Sequence, residues 1–478
     1  MTERQKPREF QFVPRVINPV KIKRAVLLAA DAELRQSAAS LGESMPWLKT
    51  QILSDPASVL KVSGDEPTVF LFDDTGLAVS DTEGVRRQNT NAVLVLLSFQ
   101  PFVQCSPPQA GRQKYPYTQN ADLVFAVSRD EFAPPKILPA VVHAAEDRLN
   151  IGRQSEVRRF IFQIVDDEPR WFSQFLPVLY AIIGQRADVM ITRTFEDSLR
   201  FLFGVEEETK IDARRYLAKG HGDDVVCLIA DVFFPKGSDL QGKAGLDLIR
   251  LVNRFYPRIP VIIASKAKEA HELADLGFVL PKGDPGSLQK LRECILNQTG
   301  LGDFLIYDHA GMEIHRAKDI FGLYRILREA EEDTPQGAEL REILGTYGEK
   351  DKFSTWLYMH SYRELGDRLR PRRVRGRQLV TMLRRNFQAE IGRLSKMPLD
   401  IAGRKIFNLE ELRTSLLSLD CGLIQAYSDN DIISSWLDRK GYPELAEELR
   451  PIHGSGPKLC QTLAETVGRW VDAHLERG

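Results

Sequence analysis

Five polar residues in the middle of the chain have the types and the order that phosphoryl transfer requires. They are Asp166, Asp167, Asp231, Ser265 and Lys282. Three clustered carboxylates repel one another, and Mg²⁺ relieves that repulsion because it prefers a few oxygen ligands plus water. With the metal bound, the Asp231 carboxylate can attack phosphorus and become an aspartyl phosphate. Ser265 can hydrogen-bond one phosphoryl oxygen, and Lys282 can pair with another.

Each of these polar groups follows an apolar run that is typical of a buried strand. The runs are Phe160–Val165, Val225–Ala230, Pro260–Ala264 and Gly277–Leu280. Continuous apolar runs that alternate with helical patterns indicate parallel strands covered on both faces. In such a sheet the ligand site lies beyond the carboxyl ends of the strands. We therefore expect the five polar groups to converge on one edge.

This segment resembles the receiver domain of bacterial response regulators. The matching stretches are Val165-Asp166-Asp167-Glu168-Pro169, Asp231-Val232-Phe233-Phe234-Pro235 and Gly245-Leu246-Asp247-Leu248-Ile249, with Ser265 and Lys282 where the family keeps its hydroxyl and its lysine. Five matches in order are far more specific than any one of them. The resemblance implies a receiver domain over 156–300 with Asp231 as phosphoacceptor. The implied ligands of Mg²⁺ are Asp166, Asp167, Asp231 and the backbone carbonyl of Phe233.

Two features depart from the family pattern. The stretch between Asp167 and Asp231 is longer than usual, which indicates an insertion around 206–224. Three residues before Lys282, where the family often has a switch aromatic, the chain has Val279, and Phe278 would point to the opposite face. The phosphorylation chemistry survives this change, but the usual hydroxyl-to-aromatic switch is not supported. The alternative for the acidic pair is a turn and helix cap.

Composition sets the frame for the whole chain. Its 478 residues correspond to about three domains of an ordinary globular protein. The formal net charge is −1, so no overall field favours nucleic acid or a membrane. The five cysteines show no Cys-x-x-Cys pairing, and no apolar run approaches the ~20 residues of a membrane span. We expect a cytoplasmic protein without disulfides, structural zinc or membrane contact.

Residues 20–150 are predicted to form a degenerate receiver-like α/β domain. The predicted strands are Ala25–Ala29, Val69–Phe72, Ala92–Leu97 and Leu123–Val127, followed by a helix over Ile137–Leu149. Ala30-Asp31 stands where an acidic pair is needed, and no lysine follows the fourth run. A pseudo-receiver used for docking is therefore expected, with Asp73 as a turn residue. The long loop Pro101–Asn120 is predicted to be a contact surface.

The C-terminal third contains an internal repeat with an offset of 80 residues, from Trp356 to Trp436. Phe353-Ser354-Thr355-Trp356-Leu357 recurs as Ile433-Ser434-Ser435-Trp436-Leu437, and Leu369-Arg370-Pro371 recurs as Leu449-Arg450-Pro451. We expect a hairpin and helical linker over 301–345 and a duplicated helical output domain over 346–478. The tryptophans are predicted to anchor its core rather than bind a ligand. The predicted fold class is thus α/β, with two doubly wound, flavodoxin- or receiver-like parallel-sheet domains followed by an all-α duplicated output domain.

The region after the receiver also resembles part of some large bacterial proteins. Gly302-Asp303-Phe304, a short hairpin, and the first copy of the tryptophan repeat resemble the segment that links receivers to phosphoenolpyruvate-synthase-like modules. The catalytic module has no counterpart in this chain, so its activity is not carried over. We do not expect an enzymatic output. What the resemblance implies is a layout, with a receiver joined through a hairpin to a helical module.

An arginine cluster surrounds Pro371 and Gly376. It comprises Arg370, Arg372, Arg373, Arg375 and Arg377, with Arg368 just before it. Arginine forks suit phosphate and carboxylate groups, so contact with an anion or an acidic partner is one interpretation. The favoured interpretation is a solvated linker with salt bridges to the many acids of 329–342.

Together these patterns predict a two-component-type response regulator. A sensor histidine kinase or phosphotransfer protein would phosphorylate Asp231, and the helical module would signal through contacts with an unidentified downstream protein. One alternative is an unphosphorylated receiver-fold scaffold. Another is a nucleic-acid or nucleotide binder that uses the arginine cluster, although a nucleic-acid partner is not favoured. A homodimer also stays open.

Overall fold

The computed structural model describes 20–74, 79–99, 121–128, 133–152, 160–184, 186–211, 220–237, 243–265, 273, 275–360, 362–369, 376–394, 396–452 and 454–475. These residues belong to two compact units, of which the first ends at Cys294 and the second begins at Ile295. No helix in the described ranges is long and apolar enough to cross a membrane.

The first unit begins with a five-stranded parallel sheet in the spatial order β2-β1-β3-β4-β5. Its strands are β1 (Arg24–Leu28), β2 (Lys49–Leu53), β3 (Thr68–Asp73), β4 (Ala92–Ser98) and β5 (Leu123–Ala126). Its helices are α1 (Ala32–Ala39), α2 (Leu41–Ser44), α3 (Pro56–Val59), α4 (Val79–Gln88) and α5 (Pro134–Gly152).

A second five-stranded parallel sheet follows, in the order β10-β9-β8-β6-β7. Its strands are β6 (Phe160–Val165), β7 (Ala187–Thr192), β8 (Val225–Asp231), β9 (Val261–Ser265) and β10 (Phe278–Pro281). Its helices are α6 (Pro169–Ile183), α7 (Phe195–Phe203), α8 (Ala244–Phe255) and α9 (Ser287–Gln298), with one 3₁₀ turn at Glu208–Lys210. The strand order is the same in both sheets, which confirms the prediction of two doubly wound, flavodoxin-like domains.

The central strands form from continuous apolar runs. Every residue of β6 is buried, and so is every residue of β8 except Asp231 at its end. Each buried large aliphatic or aromatic side chain in these strands stabilises the fold by about 1.5–3 kcal/mol. Helix α7 is capped at both ends. The Thr194 side chain accepts the Asp197 N–H at its start, and Gly204, with φ 70°, ends the helix.

Two strands of these parallel sheets were not in the sequence prediction, β2 and β7. Both lie at sheet edges, where a strand has only one neighbour. The edge strand β2 is largely exposed, including 38% of Ile52, so it has no continuous apolar run. Asp188 interrupts the apolar residues of β7. Edge strands do not need the two-sided burial that makes central strands easy to recognise.

The two α/β domains contact each other through β5 and α6. The backbone N–H of Ala126 donates to Ser173 Oγ at 3.0 Å. The rings of Phe125 and Phe172 pack edge to face with centroids 6.0 Å apart. All four residues are buried, so β5 of the first sheet packs directly against a helix of the second domain.

The second unit is mainly helical and contains two antiparallel hairpins. Its strands are β11 (Phe304–Tyr307), β12 (Glu313–Ala317), β13 (Leu399–Ile401) and β14 (Arg404–Ile406). Its helices are α10 (Ile320–Glu331), α11 (Pro335–Glu349), α12 (Lys352–Met359), α13 (Arg363–Leu369), α14 (Gly376–Leu394), α15 (Leu409–Ser418), α16 (Cys421–Asp429), α17 (Ile432–Lys440), α18 (Pro443–Leu449) and α19 (Gly456–Leu475).

The region 346–478 is therefore not all-α, because β13 and β14 lie inside it. Their turn is made by Ala402 and Gly403, both with positive φ (48° and 88°). Two consecutive left-handed residues form the tight turn that suits a hairpin. Strands of three residues are too short to leave a periodic pattern in the sequence, which is why the prediction missed them.

The two repeat tryptophans make corresponding contacts. Trp356 is 1% exposed and donates its indole N–H to the carbonyl of Gly302 at 2.9 Å. Trp436 is 2% exposed and donates to the carbonyl of Met397 at 3.4 Å. Each acceptor lies two residues before the first strand of a hairpin. Each tryptophan is thus a buried anchor between a helix and a hairpin.

Candidate functional site

The polar residues singled out by the sequence lie at one edge of the second sheet. Asp166 follows β6, Asp231 ends β8, Ser265 ends β9, and Lys282 follows β10. These strands are neighbours and run parallel, with Asp231 opposite Ala264 and Ser265 opposite Pro281. Their carboxyl ends therefore meet at the same edge.

Three carboxylates form a cluster at this edge. One side-chain oxygen from each of Asp166, Asp167 and Asp231 lies within 4.8 Å of the others. The ammonium of Lys282 reaches into the cluster, with Nζ 2.6 Å from Asp166 Oδ2 and 2.9 Å from Asp231 Oδ2. Asp166, Asp167 and Lys282 are buried, whereas Asp231 is partly open to solvent. Among the described residues this is the only group of three side chains that could hold a metal ion. It combines a carboxylate that is partly open to solvent, Asp231, with a buried cation, Lys282.

Backbone contacts hold two of the carboxylates in place. Asp166 Oδ1 accepts the backbone N–H of Glu168 at 3.0 Å, and Asp231 Oδ1 accepts that of Val232 at 2.7 Å. In each of these carboxylates, one oxygen accepts a backbone N–H and the other pairs with the ammonium of Lys282. Gly245 lets α8 approach closely, because a Cβ there would collide with the carbonyl oxygen of Asp231.

The electrostatics of the cluster are dominated by burial. Burial raises the pKa of Asp166 to about 7, with Lys282 opposing the change and Asp231 adding to it. Burial also raises the pKa of Asp167 to about 7, and the neighbouring Asp231 adds to the effect. For Lys282 burial acts against the charged form, but the nearby carboxylates more than offset it and raise its pKa. One ammonium does not balance three carboxylates.

The donor set fits a hard divalent cation. Three carboxylate oxygens within reach of one another are ligands that Mg²⁺ takes, with water completing the coordination. A bound cation would favour the ionised forms of Asp166 and Asp167, whose pKa values burial raises. Phe233 lies two residues beyond Asp231 in the loop after β8, and its side chain is 40% exposed.

Ser265 lies where the carboxyl ends of β9 and β10 pair. Ser265 is buried, and its carbonyl accepts the backbone N–H of Lys282 at 2.8 Å. Val279 packs against the core formed with α7 and α8, whereas Phe278 is 42% exposed. The residue three positions before Lys282 is therefore a half-buried valine that packs against this core. The residues directly after Ser265 lie outside the described ranges.

Sequence reasoning missed Trp171, which lies beside the cluster. Its indole N–H donates to Glu168 Oε2 at 2.7 Å, and Lys282 Nζ lies 5.4 Å from its ring centroid. Gly283, with φ 80°, turns the chain next to the same ring. The available signal was its position in the first turn of the helix that follows the acidic pair.

The equivalent edge of the first sheet has a different chemistry. Asp73 ends β3 and is buried, and its Oδ2 accepts the backbone N–H groups of Ala30 (2.7 Å) and Asp31 (3.3 Å). The Asp31 side chain caps α1 by accepting the Leu34 N–H. Among the described residues of this domain no group of three metal-binding side chains occurs. Asp73 therefore helps to fix the backbone at this edge.

Several residues singled out by the sequence lie outside the described ranges. These are Arg370, Arg372, Arg373 and Arg375, the loop Pro101–Asn120, and 212–219 of the predicted insertion. Arg377 is described: it pairs with Asp333 and donates to the carbonyl of Glu331. Arg384, seven residues further along α14, pairs with Glu331 at 2.6 Å. These two arginines contact acids of the same chain.

Comparisons with known proteins found only weak similarities, all to solved structures. No protein-family model matches the sequence, and no curated protein matches it. Among solved structures, the chain is similar to the E. coli RcsC C-terminus "containing linker region and phosphoreceiver domain", with 15% sequence identity and a TM-score of 0.19. That match covers 58% of this chain and 93% of the RcsC chain. It is also similar to the C-terminal domain of glucosamine-fructose-6-phosphate aminotransferase from Francisella tularensis, at 8% identity, 56% and 78% coverage and a TM-score of 0.18. TM-scores this low do not establish a shared function.

Proposed function

We propose that the chain is a two-component-type response regulator that is phosphorylated on Asp231. The observation that carries this proposal is the convergence of Asp166, Asp167, Asp231 and Lys282 at the carboxyl ends of adjacent parallel strands. The strand order around them is doubly wound, and Asp231 is the cluster's partly exposed carboxylate. A carboxylate that is both open to a donor and held against a buried lysine suits a phosphoacceptor.

The metal of this site would be Mg²⁺, held by Asp166, Asp167 and Asp231. The resemblance to receiver domains adds the backbone carbonyl of Phe233 as a further ligand. When bound, the ion supplies positive charge that offsets the carboxylates and the phosphoryl group.

The residues of the chain would then act as follows. A carboxylate oxygen of Asp231 attacks the phosphorus of a phosphohistidine on a sensor histidine kinase or phosphotransfer protein. An O–P bond forms while the P–N bond breaks, and the electron pair remains on the donor's imidazole. The ammonium of Lys282, now 2.9 Å from Asp231, pairs with a phosphoryl oxygen, and the hydroxyl of Ser265 donates to another.

The other domains are assigned roles in docking and output. The N-terminal domain acts as a pseudo-receiver, because Asp73 is committed to backbone N–H groups rather than to a metal cluster. The duplicated helical module signals through protein–protein contacts with a downstream protein. The duplication of this module is supported by the matching contacts of Trp356 and Trp436 with the residues before the two hairpins. The protein would work in the cytoplasm, and without an enzymatic output.

The experiment is the intact mass of the full chain after incubation with acetyl phosphate and Mg²⁺. We expect the mass of one added phosphoryl group in the wild type, none in Asp231→Asn, and none without Mg²⁺. Asp73→Asn, the matched change in the first sheet, should keep the addition. If neither acetyl phosphate nor phosphoramidate phosphorylates the wild type, the receiver-fold scaffold becomes the better account.

A further inference from the structure

The loop that follows the phosphoacceptor is fastened to the start of α7. This loop, Val232–Gly237, is joined to α7 at two points. The backbone N–H of Phe195 donates to the carbonyl of Pro235 at 3.0 Å. Glu196 Oε1 accepts the backbone N–H of Gly237, also at 3.0 Å. The first two residues of α7 therefore hold the far end of the loop.

Lys236 adds a third connection. Its Nζ lies 2.6 Å from Asp247 Oδ2, in the first turn of α8, and 4.2 Å from the ring centroid of Phe195. Both side chains of the ion pair are more than a third exposed, so the pair itself contributes little stability. Its effect is geometric, because it links the loop to two helices at once.

The near end of the loop is held by α8 and by the core. The backbone N–H of Gly245 donates to the carbonyl of Val232 at 3.0 Å, and Phe234 is completely buried. Phe233, between these two residues, keeps its side chain largely outside the core. The position of the Phe233 backbone is therefore set by contacts on both sides of it, and Glu196 supplies the outermost one.

We propose that Glu196 is a positioning residue for the cation site, because it holds the loop that contains Phe233, whose backbone carbonyl would be a ligand by the resemblance to receiver domains. This inference rests on the proposed function, since it requires a cation at Asp166, Asp167 and Asp231. A backbone carbonyl has no side-chain torsions to adjust, so its placement depends on how the loop is fixed. Mg²⁺ demands near-ideal octahedral geometry, and groups that orient its ligands typically change affinity 10- to 100-fold.

Two variants separate positioning from charge. Glu196→Gln keeps a side-chain oxygen that can accept the Gly237 N–H but removes the negative charge. Glu196→Ala removes both. If Glu196 only added negative charge near the site, the two variants would weaken cation binding equally. If it positions the loop, only the alanine variant should do so.

The test is the Kd for Mg²⁺ of the full chain by isothermal titration calorimetry, for wild type and both variants. We expect about tenfold weaker binding in Glu196→Ala and nearly unchanged binding in Glu196→Gln. Hydrogen exchange of the metal-free protein should show faster exchange of 232–237 in the alanine variant alone. Glu196 is partly exposed, so both variants should fold.

Three outcomes would overturn the inference. Glu196→Ala with wild-type affinity and exchange removes the positioning role. Equal losses in both variants assign the effect to charge. If the wild-type protein binds no Mg²⁺, the proposed function is wrong, and Glu196 then has no metal ligand to position. The first two outcomes leave the proposed function intact, so the two failures are distinguishable.

Discussion

The ammonium of Lys282 lies 2.6 Å from a carboxylate oxygen of Asp166, and their side chains are only 1% and 2% exposed. The two residues are separated by most of the domain in sequence and meet because β6 and β10 end at the same sheet edge. A charge at such a depth is tolerated only while it has a partner. Removal of either partner would therefore leave the other charge buried without compensation.

Lys282→Met should destabilise the metal-free protein. Removing one partner of a buried ion pair typically costs about 3–5 kcal/mol, because the other charge is left without compensation. The measurement is the free energy of unfolding in urea at pH 8, above the pKa of about 7 of Asp166 and Asp167 in the wild type. Mg²⁺ should restore part of the loss, because it replaces the missing positive charge.

The matched control is Lys236→Met in the same domain. Its ion pair with Asp247 is more than a third exposed on both sides, so a change within about 1 kcal/mol is expected. Equal destabilisation in the two variants would argue against a special burial cost at Lys282.

Trp171 should report cation binding through its fluorescence. Its ring lies 5.4 Å from Lys282 Nζ, and its indole N–H bonds Glu168, the residue after the acidic pair. A cation at Asp166 and Asp167 changes the charge next to the indole. Titration with Mg²⁺ should therefore change the emission of the wild type, and Trp171→Phe should abolish that change. Trp47→Phe, in the N-terminal domain, should retain it; loss of the signal there instead would show that Trp171 is not the reporter.

The carboxyl-edge convergence could be predicted because it follows from two simple rules. Continuous apolar runs identify the central strands β6, β8 and β9, and parallel neighbours bring their carboxyl ends together. Asp231 at the end of β8 and Ser265 at the end of β9 follow from those rules alone. The close packing of Lys282 against Asp166 was not visible in the sequence, since it depends on side-chain burial.

Other features could not be predicted because they depend on local geometry or on a single neighbour. The contact of Trp171 with Glu168 requires the tight start of α6. The hairpin β13–β14 is set by the positive φ angles of Ala402 and Gly403, and alanine carries no such signal. Edge strand β2 is too exposed to show an apolar run.

Lys352, at the start of α12, should make stability depend on pH. Burial, with a smaller effect from Lys350, lowers its pKa to about 8, against 10.5 in the unfolded chain. Below pH 8 both states carry the charge, and the folded state bears its full cost. Between pH 8 and 10.5 the folded state releases the proton first, so this cost disappears as the pH rises. Relative to Lys352→Met, the wild type should therefore gain stability between pH 7.5 and 10, on the order of 1–2 kcal/mol.

The measurement is the free energy of unfolding in urea at both pH values, for the wild type and Lys352→Met. Lys405→Met, at an exposed position of β14, should show no such difference. A wild-type profile parallel to that of Lys352→Met would refute the account in which partial burial lowers the pKa of Lys352.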